Sequence, residues 1–451
     1  MSTAGATLPA AADLAAAARD ALDYAVRQSV DCARVTAGCT GEHRLVVTNN
    51  ALSLAASTQE RHVHILVHRQ QKEGAASTNA LSRTALCQSV DDALALARFA
   101  PADDCLVMPD AGQAPPAMPL PFLWDDAVGG LSLDCLREFI QAMQARLARD
   151  KRISIDRLEV SATRHWRGVF NTLGVEQGEF SSTIGWSVMG MAREGGVVGG
   201  FDYERRAVFR LDGALEEALR RCDAFCDRVV GNLRQARTPD YVGPVLLSPR
   251  AVQRLLMETV LYHCAGSSVA NGTSRWAGKL GAAVVSPLLS VSDQPHDGVL
   301  AGARSFDRDG VPTRSRTLLA SGILQSHLLD CQSARRIGAR STASAGGPFG
   351  LVCDPGKAGL ADMQDARPEL LMVDRFSGNL DPLTGDFSGV AKSSRLYRNG
   401  IDQGGVNGAL ISGNAFALLE RVIAVSSAVD DVSGAMRLPW MLVDAVHVSG
   451  G

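Results

Sequence analysis

Apolar positions along the chain recur with two periods, and these predict helices and strands in a repeating order. Residues 10–28 have apolar side chains at the three- and four-residue spacing of an amphipathic helix. A helix near Val90–Phe99 and a proline-rich loop over residues 101–122 follow later in the chain. Between the two helices, period-two alternation predicts strands at Arg44–Asn49, Leu52–Ser57 and Arg61–Arg69.

The order of strands followed by a helix then occurs a second time. A helix is predicted over Ser132–Asp150, and a long one runs from about Gly213 to Arg234. The strands expected between them are Ile153–Thr163, Gly168–Asn171, Glu176–Ala192 and Val197–Tyr203. The two units, offset by roughly 115 residues, indicate an internal strand-strand-strand-helix duplication. We therefore expect residues 1–236 to form one α/β domain.

Pro239, Gly243 and Pro244 mark the predicted domain boundary. Beyond it, residues 237–451 carry many glycines and short apolar runs, which favour a β-rich domain with a curved sheet or barrel. Asn399-Gly400 predicts a tight hairpin turn, and Asn414 predicts a helix N-cap. The expected fold class is thus α+β with two domains.

The stretch Ser248–Gly266 predicts a helix, because Pro249 precedes a run of good helix formers. It carries groups that could take part in chemistry, namely Glu258, His263 and Cys264. His263 and Cys264 are adjacent, so their side chains should diverge by about 100°. On the predicted strand Arg61–Arg69, three imidazoles of equal parity, from His62, His64 and His68, share one face. They could bind a metal ion, although no carboxylate or thiolate completes the set and a solvated face is the simpler interpretation.

Composition excludes several classes of protein. The net charge of −3 gives no electrostatic basis for binding nucleic acid or an anionic membrane. The ten cysteines form no CxxC pair, which is typical of a reduced compartment. No apolar run has the length of a membrane helix, and the N-terminus lacks the basic region of a signal peptide. The expected location is the cytoplasm.

The C-terminal half carries an ordered set of short motifs. They are FDRDGVPTR from Phe306, SARRIG from Ser333, STxxAGG from Ser341, TGDFSG from Thr384, RNG from Arg398 and SGN from Ser412. With the helix at Ser248–Gly266 and, more weakly, FNTLGVEQGEFSS and KEGAASTNALS, they make this sequence resemble the TldD/PmbA family. The resemblance covers about 200 residues of the C-terminal half, and it implies a metallopeptidase scaffold.

Active members of that family hold zinc with a His-Glu-x-x-x-His helix and a cysteine near the C-terminus. Here the two histidine positions are Met257 and Tyr262, and only Glu258 is retained. Shifting the frame by one residue places Glu258 and His263 at the ligand positions, but Thr259 then replaces the general base. The expected cysteine is absent from Ser426–Leu438. The resemblance therefore implies the PmbA/TldE side of the family, with no metal bound by this chain.

By the same resemblance, this chain is a non-catalytic subunit that pairs with a zinc-bearing TldD-like partner. The pair would cleave unfolded or modified peptides, including leader or precursor peptides in natural-product maturation. Two alternatives stay open. One is an active homodimeric hydrolase with a site rebuilt from Glu258, His263 or the histidines of residues 62–68, and the other is a peptide-binding regulatory module.

Overall fold

The computed structural model describes residues 11–450. The first ten residues and Gly451, which belong to the predicted domains 1–236 and 237–451, therefore lie outside the described residues. Ala10, the first residue of the first predicted helix, lies outside as well. So does the extreme N-terminus, on which the expectation of no signal peptide depends.

From residue 11 onward, the first part of the chain contains seven strands and five α-helices, and a short 3-10 turn covers Pro121–Leu123. The helices are α1 (Ala11–Arg27), α2 (Arg83–Ala97), α3 (Asp126–Gly129), α4 (Leu133–Leu147) and α5 (Ala214–Gly231). The strands are β1 (Cys32–Thr48), β2 (Ala51–Arg69), β3 (Lys72–Thr78), β4 (Ile153–Asn171), β5 (Glu176–Glu194), β6 (Val197–Val198) and β7 (Asp202–Val208).

The internal duplication is present in the structure, as helix–strand–strand–strand–helix. The first repeat is α1-β1-β2-β3-α2, and the second is α4-β4-β5-β7-α5. Their first strands begin at Cys32 and Ile153, 121 residues apart, so the offset is larger than the sequence pattern suggested. The repeats meet through β1 and β4, which pair antiparallel at the centre of one sheet.

Several strand boundaries predicted in this part are wrong. The predicted strands Leu52–Ser57 and Arg61–Arg69 form the single 19-residue strand β2, and β4 likewise joins two predicted strands. The third strand of the first repeat is Lys72–Thr78, which has too few large apolar residues to produce a strand pattern. Pairing across a long sheet extends strands through polar residues, because the ladder satisfies the backbone there whatever the side chains are.

The helices of both repeats cover one face of this sheet. Leu14 and Val90 pack with Val35 on the first half, and Phe139 and Phe225 pack with Val160 on the second. Burying apolar side chains on one face leaves the other face polar, and that second face meets the C-terminal part of the chain. Arg34, for example, pairs with Asp309 at 2.5 Å.

The remainder of the chain forms a larger sheet with short helices around it, and a π-helical turn covers Gln253–Met257. The helices are α6 (Pro249–Val252), α7 (Glu258–Cys264), α8 (Gly266–Ala270), α9 (Cys331–Arg336), α10 (Leu360–Gln364) and α11 (Ala415–Glu420). The strands are β8 (Gln235–Ala236), β9 (Tyr241–Leu247), β10 (Val291–Asp293), β11 (Arg316–Ala320), β12 (Ile323–Leu324), β13 (Leu351–Cys353), β14 (Glu369–Val373), β15 (Arg375–Leu380), β16 (Asp386–Lys392), β17 (Ser394–Arg398), β18 (Ile401–Val406), β19 (Leu410–Asn414), β20 (Val422–Val432) and β21 (Met436–Ser449).

This second sheet has fourteen strands and is branched. Its main path runs β12-β11-β10-β13-β21-β9-β14-β17-β18-β8, and β19, β16, β15 and β20 branch from β21. Among the described residues the two ends of the path, β12 and β8, do not pair with each other. The sequence predicted a curved sheet or a barrel, and the described strands do not close into a barrel. The α+β class with two sheet-rich regions is confirmed.

Local signals in the C-terminal half placed two features correctly. Asn399 and Gly400 both have positive φ, at 47° and 72°, and they join β17 to β18 in a tight hairpin. Asn414 is the N-cap of α11, and its Oδ1 accepts the backbone N–H of Phe416 at 3.0 Å.

Replacing Asn414 with alanine is expected to lower the free energy of unfolding by about 1–2 kcal/mol, as loss of an N-cap does. Its Nδ2 also donates to the carbonyl of Thr384 at 3.0 Å, which places the effect in the upper part of that range. Urea denaturation measures the change. Asn414→Ser, which keeps a capping oxygen, should recover part of the loss, and equal stabilities of Asn414→Ala and wild type would contradict the role of the cap.

Within the described residues, none of the helices has both the length and the apolar run needed to cross a membrane.

Candidate functional site

The helical segment from Ser248 to Cys264 is held at its start by a side-chain cap. The Ser248 hydroxyl accepts from the N–H of Ala251 and donates to the carbonyl of Asp374 at 2.8 Å, and Pro249 occupies the first helical position. The sequence predicted one helix here, but a π-helical turn separates α6 from α7, with the N–H of Glu258 bonded to the carbonyl of Gln253. Such turns are frequent at functional sites.

The two positions that the resemblance assigns to zinc-binding histidines do not converge. Met257 is fully buried in the apolar core of the C-terminal domain. Tyr262 is half-buried, and its hydroxyl donates to the Thr273 hydroxyl at 3.2 Å. On the same helical segment, Leu255 and Thr259 are fully buried, whereas Glu258 and Tyr262 are partly exposed.

Glu258 lies at the wall of a charged cavity of about 260 Å³ between the two parts of the chain. Its carboxylate forms an ion pair with Arg254, one turn earlier. Burial raises the pKa of Glu258, and the neighbouring Arg254 opposes that rise. Arg254 thus pairs with this carboxylate, and none of the described residues that line the cavity carries an imidazole.

His263 and Cys264 are both buried in the core of the C-terminal part of the chain. His263 is fully buried, and its Nδ1 accepts the backbone N–H of Arg275 at 3.0 Å. Its ring lies 4.9 Å from that of Phe416 and 5.7 Å from that of Trp276, and burial lowers its pKa. Burial also raises the pKa of the Cys264 thiol to about 12, so the reactive thiolate is not formed near neutral pH. These two side chains face the core, whereas Glu258 faces the cavity.

The C-terminal segment in which the resemblance expects a cysteine does reach the same cavity. The cavity that Glu258 lines is also lined by Asp430, Asp431, Val432 and Ser433. Asp430 binds Arg221 at 2.6 Å, and Asp431 binds Arg206 at 2.7 Å. The structure thus brings together the two places that the sequence identified separately, and it shows carboxylate–guanidinium pairs there. The arginines of α5 and β7 were missed because no local pattern links them to residue 258.

These side chains do not fit a zinc ion. A zinc site needs three or four nitrogen, sulfur or oxygen ligands directed at one point. Among residues 11–450, the only three ligand atoms of histidine, cysteine or carboxylate that lie within 4.8 Å of one another belong to Asp103, Asp104 and Cys105. Asp103 already binds Gln332 at 2.9 Å and pairs with Arg336. None of the positions 257, 258, 262 and 263 belongs to that group.

The three histidines of β2 lie outside this cavity. They line a second one of about 450 Å³, on the sheet face opposite the helices. His68 is buried between the Cys32 thiol at 3.3 Å and Glu73 at 3.2 Å, and His64 bonds the Ser77 hydroxyl at 2.9 Å. The solvated face predicted for this strand is therefore wrong for His68, although His62 is exposed. His64 and His68 each have a separate partner, so the imidazoles do not form one cluster.

Comparison with known proteins gives a consistent result. Residues 240–450 match the family model described as the PmbA/TldA metallopeptidase C-terminal domain. The chain is 28% identical over 413 residues to the metalloprotease PmbA homolog of Haemophilus influenzae, covering 87% of this chain and 86% of the relative. It is 27% identical over 400 residues to metalloprotease PmbA of Escherichia coli O157:H7, covering 84% of each. The fold matches the crystal structure of TldE from Thermococcus kodakarensis with a TM-score of 0.86 and 20% identity, over 96% of this chain and all of that one.

Proposed function

Because this chain belongs to the TldD/PmbA family, we propose that it is the zinc-less, non-catalytic subunit of a heterodimeric peptidase. Its partner is a TldD-like subunit that holds the zinc. The observation that carries the proposal is the cavity beside Glu258, where arginine–carboxylate pairs occupy the place in which the resemblance expects metal ligands. The relatives named PmbA and the TldE-like fold support the same assignment.

The chemistry of the cavity supports a structural role. Peptide hydrolysis needs an activated water or a nucleophile, and a bound metal ion supplies the former by lowering the pKa of water to about 7. Among the described residues that line this cavity there is no histidine and no cysteine. The paired guanidinium groups cannot act as general bases, because an arginine keeps its proton at any physiological pH.

The proposed substrates are unfolded or modified peptides, with leader or precursor peptides in natural-product maturation as the specific case. An extended peptide presents its backbone for pairing along a sheet edge, which tolerates many side chains. In the heterodimer, this chain positions the peptide while the partner hydrolyses it.

The test compares three samples: this chain alone, the TldD-like subunit encoded in the same genome, and their mixture. The zinc content of each sample is measured by mass spectrometry. Hydrolysis is measured with an unstructured peptide that carries a fluorophore and a quencher. We expect that bound zinc and peptide hydrolysis both require the TldD-like subunit to be present. In the mixture, Glu258→Gln in this chain should leave the rate within about threefold of wild type. The matched Glu→Gln change in the partner's His-Glu-x-x-x-His helix should lower the rate by about two or more orders of magnitude.

Three outcomes contradict the proposal. Stoichiometric zinc and hydrolysis by this chain alone, both lost in Glu258→Gln and His263→Ala, would identify an active homodimeric hydrolase instead. Peptide binding without any complex with the TldD-like subunit would identify a regulatory module. A rate in the mixture no higher than that of the partner alone would remove the function assigned to this subunit.

A further inference from the structure

One half of β2 has an outer edge that no described strand covers. The strand runs for 19 residues, but β3 pairs only with its second part, Val63–Arg69. The first part, residues 51–58, pairs with β1 on its inner side. On its outer side, no strand within residues 11–450 pairs with it.

The register shows which backbone groups point outward along this edge. Arg69 and Lys72 close the two-residue turn between β2 and β3, so the odd-numbered residues of β2 direct their N–H and C=O groups to the outer side. The register with β1 has no irregularity between Ala56 and His68, so the same parity extends down the strand. Ala55 and Ser57 therefore direct backbone donors and acceptors away from β1.

The sequence of residues 51–58 gives this edge little protection. The segment reads ALSLAAST and contains no charge and no proline, two of the features that block an edge strand, and its one irregularity is a register shift with β1 at Ser53. Leu52 is 53% exposed and Leu54 is 41% exposed. At about 3.3 Å per residue the edge is roughly 26 Å long. A strand of this length and composition is a template for pairing with another chain.

The internal duplication supplies a comparison within the same sheet. The equivalent segment of β5, residues 176–183, also lies beyond the reach of its neighbouring strand, since β7 pairs only with residues 184–190. There, however, Gln177 and Ser182 are buried. The Gln177 side chain donates to the carbonyl of Gly310 at 3.1 Å, and the Ser182 hydroxyl accepts the N–H of Asp125 at 2.8 Å. Other parts of the chain thus contact this segment at two positions in the second repeat, while Phe180 stays 44% exposed, and its counterpart in the first repeat has no buried residue.

We propose that the outer edge of residues 51–58 pairs, as an antiparallel strand, with the equivalent strand of the TldD-like subunit. This assignment rests on the proposed function. The partner proposed above belongs to the same family, and antiparallel pairing of two equivalent edges would produce the two-fold arrangement typical of dimers. A peptide substrate would leave the edge open between turnovers, whereas a permanent subunit covers it at all times.

The test uses two substitutions at one position. Ala55→Pro removes an outward N–H and places a ring on the edge, and it is compatible with the fold because that N–H does not bond β1. Ala55→Val keeps the N–H. With the TldD-like subunit encoded in the same genome as the probe, Ala55→Pro should weaken binding by about tenfold or more, and Ala55→Val should stay within about threefold of wild type. Hydrogen exchange of residues 51–58 should slow when the complex forms.

The outcomes separate this proposal from the proposed function. If the wild-type chain forms no complex with the TldD-like subunit, both fail. If the complex forms but exchange in residues 51–58 is unchanged, or Ala55→Pro binds like Ala55→Val, only the edge assignment fails. If this chain self-associates and the same edge is then protected from hydrogen exchange, the choice of partner is wrong. Thermal unfolding of both variants within a few degrees of wild type establishes that the comparison concerns binding rather than folding.

Discussion

Asp202→Asn is expected to lower the free energy of unfolding by about 3–5 kcal/mol, because it removes one partner from a buried group of ion pairs. The Asp202 carboxylate is fully buried at the start of β7. Its oxygens lie 2.8 Å from nitrogens of Arg228, Arg250 and Arg375. The last two arginines belong to the C-terminal domain, so a single carboxylate links the two sheet-rich parts.

The pH dependence of this contribution has a definite sign. Burial by itself would raise the pKa of Asp202, but Arg250, Arg228 and Arg375 outweigh burial and hold that pKa well below its usual range. A carboxyl group whose pKa is depressed by folding contributes stability above its unfolded pKa of about 3.9 and loses it as the pH falls toward the folded value. Wild type should therefore lose stability below about pH 4, and Asp202→Asn should lack this component.

Urea denaturation at pH 7 and at pH 3.5 measures both effects. Asp134→Asn is the matched control, since Asp134 pairs with Arg137 on an exposed helix surface, with side chains 81% and 52% exposed. That variant should change stability by no more than about 1 kcal/mol. If Asp202→Asn lowers the free energy of unfolding as little as the control does, the burial of the three arginines does not depend on pairing with this carboxylate.

Asp307→Ala should also destabilise the protein by about 3–5 kcal/mol, because it leaves three buried backbone donors without an acceptor at about 1–3 kcal/mol each. Asp307 is fully buried in the FDRDG motif. Its Oδ1 accepts the N–H groups of Asp309 and Val311 at 2.9 Å, and its Oδ2 accepts that of Ala345 at 3.0 Å. The carboxylate thus fixes the loop from which Gly310 contacts the N-terminal sheet.

Denaturation at neutral pH with two probes tests this prediction. The control is Asp381→Ala, whose carboxylate accepts one N–H, that of Leu383 at 2.9 Å, in a partly exposed turn. We expect Asp381→Ala to lower the free energy of unfolding by about 1 kcal/mol. If Asp307→Ala loosens the contact between domains, tryptophan fluorescence and far-UV circular dichroism should report different midpoints. Coincident curves with no loss of stability would contradict the role given to the motif.

Local sequence signals predicted those features that depend on few neighbours. Asn399-Gly400 adopts its turn because both residues tolerate positive φ, and Asn414 caps its helix because its side chain reaches the second N–H that follows. The strand boundaries in the first repeat were harder to predict from local sequence. Residues 72–78 join the sheet through backbone pairing with β2, and that pairing leaves no apolar pattern in the side chains.

In the candidate site, too, some features follow from local sequence and others depend on tertiary contacts. That Met257 and Tyr262 cannot replace two imidazoles follows from residue identity alone. That Glu258 faces the same cavity as Asp430 does not follow from residue identity. These residues are far apart in sequence, and only the folded chain brings both to the wall of one cavity. Likewise, no local pattern indicates that Arg221 reaches from α5 to Asp430.

The sequence by itself determined the family resemblance, the α+β class, the duplication and the identity of the groups available for chemistry, because each of these depends on residue type and spacing. Only the tertiary structure decided which charges share a cavity, which histidines are buried and which strand edge stays open. Those properties arise from contacts between distant segments, and their energies depend on burial and pairing that no single segment contains.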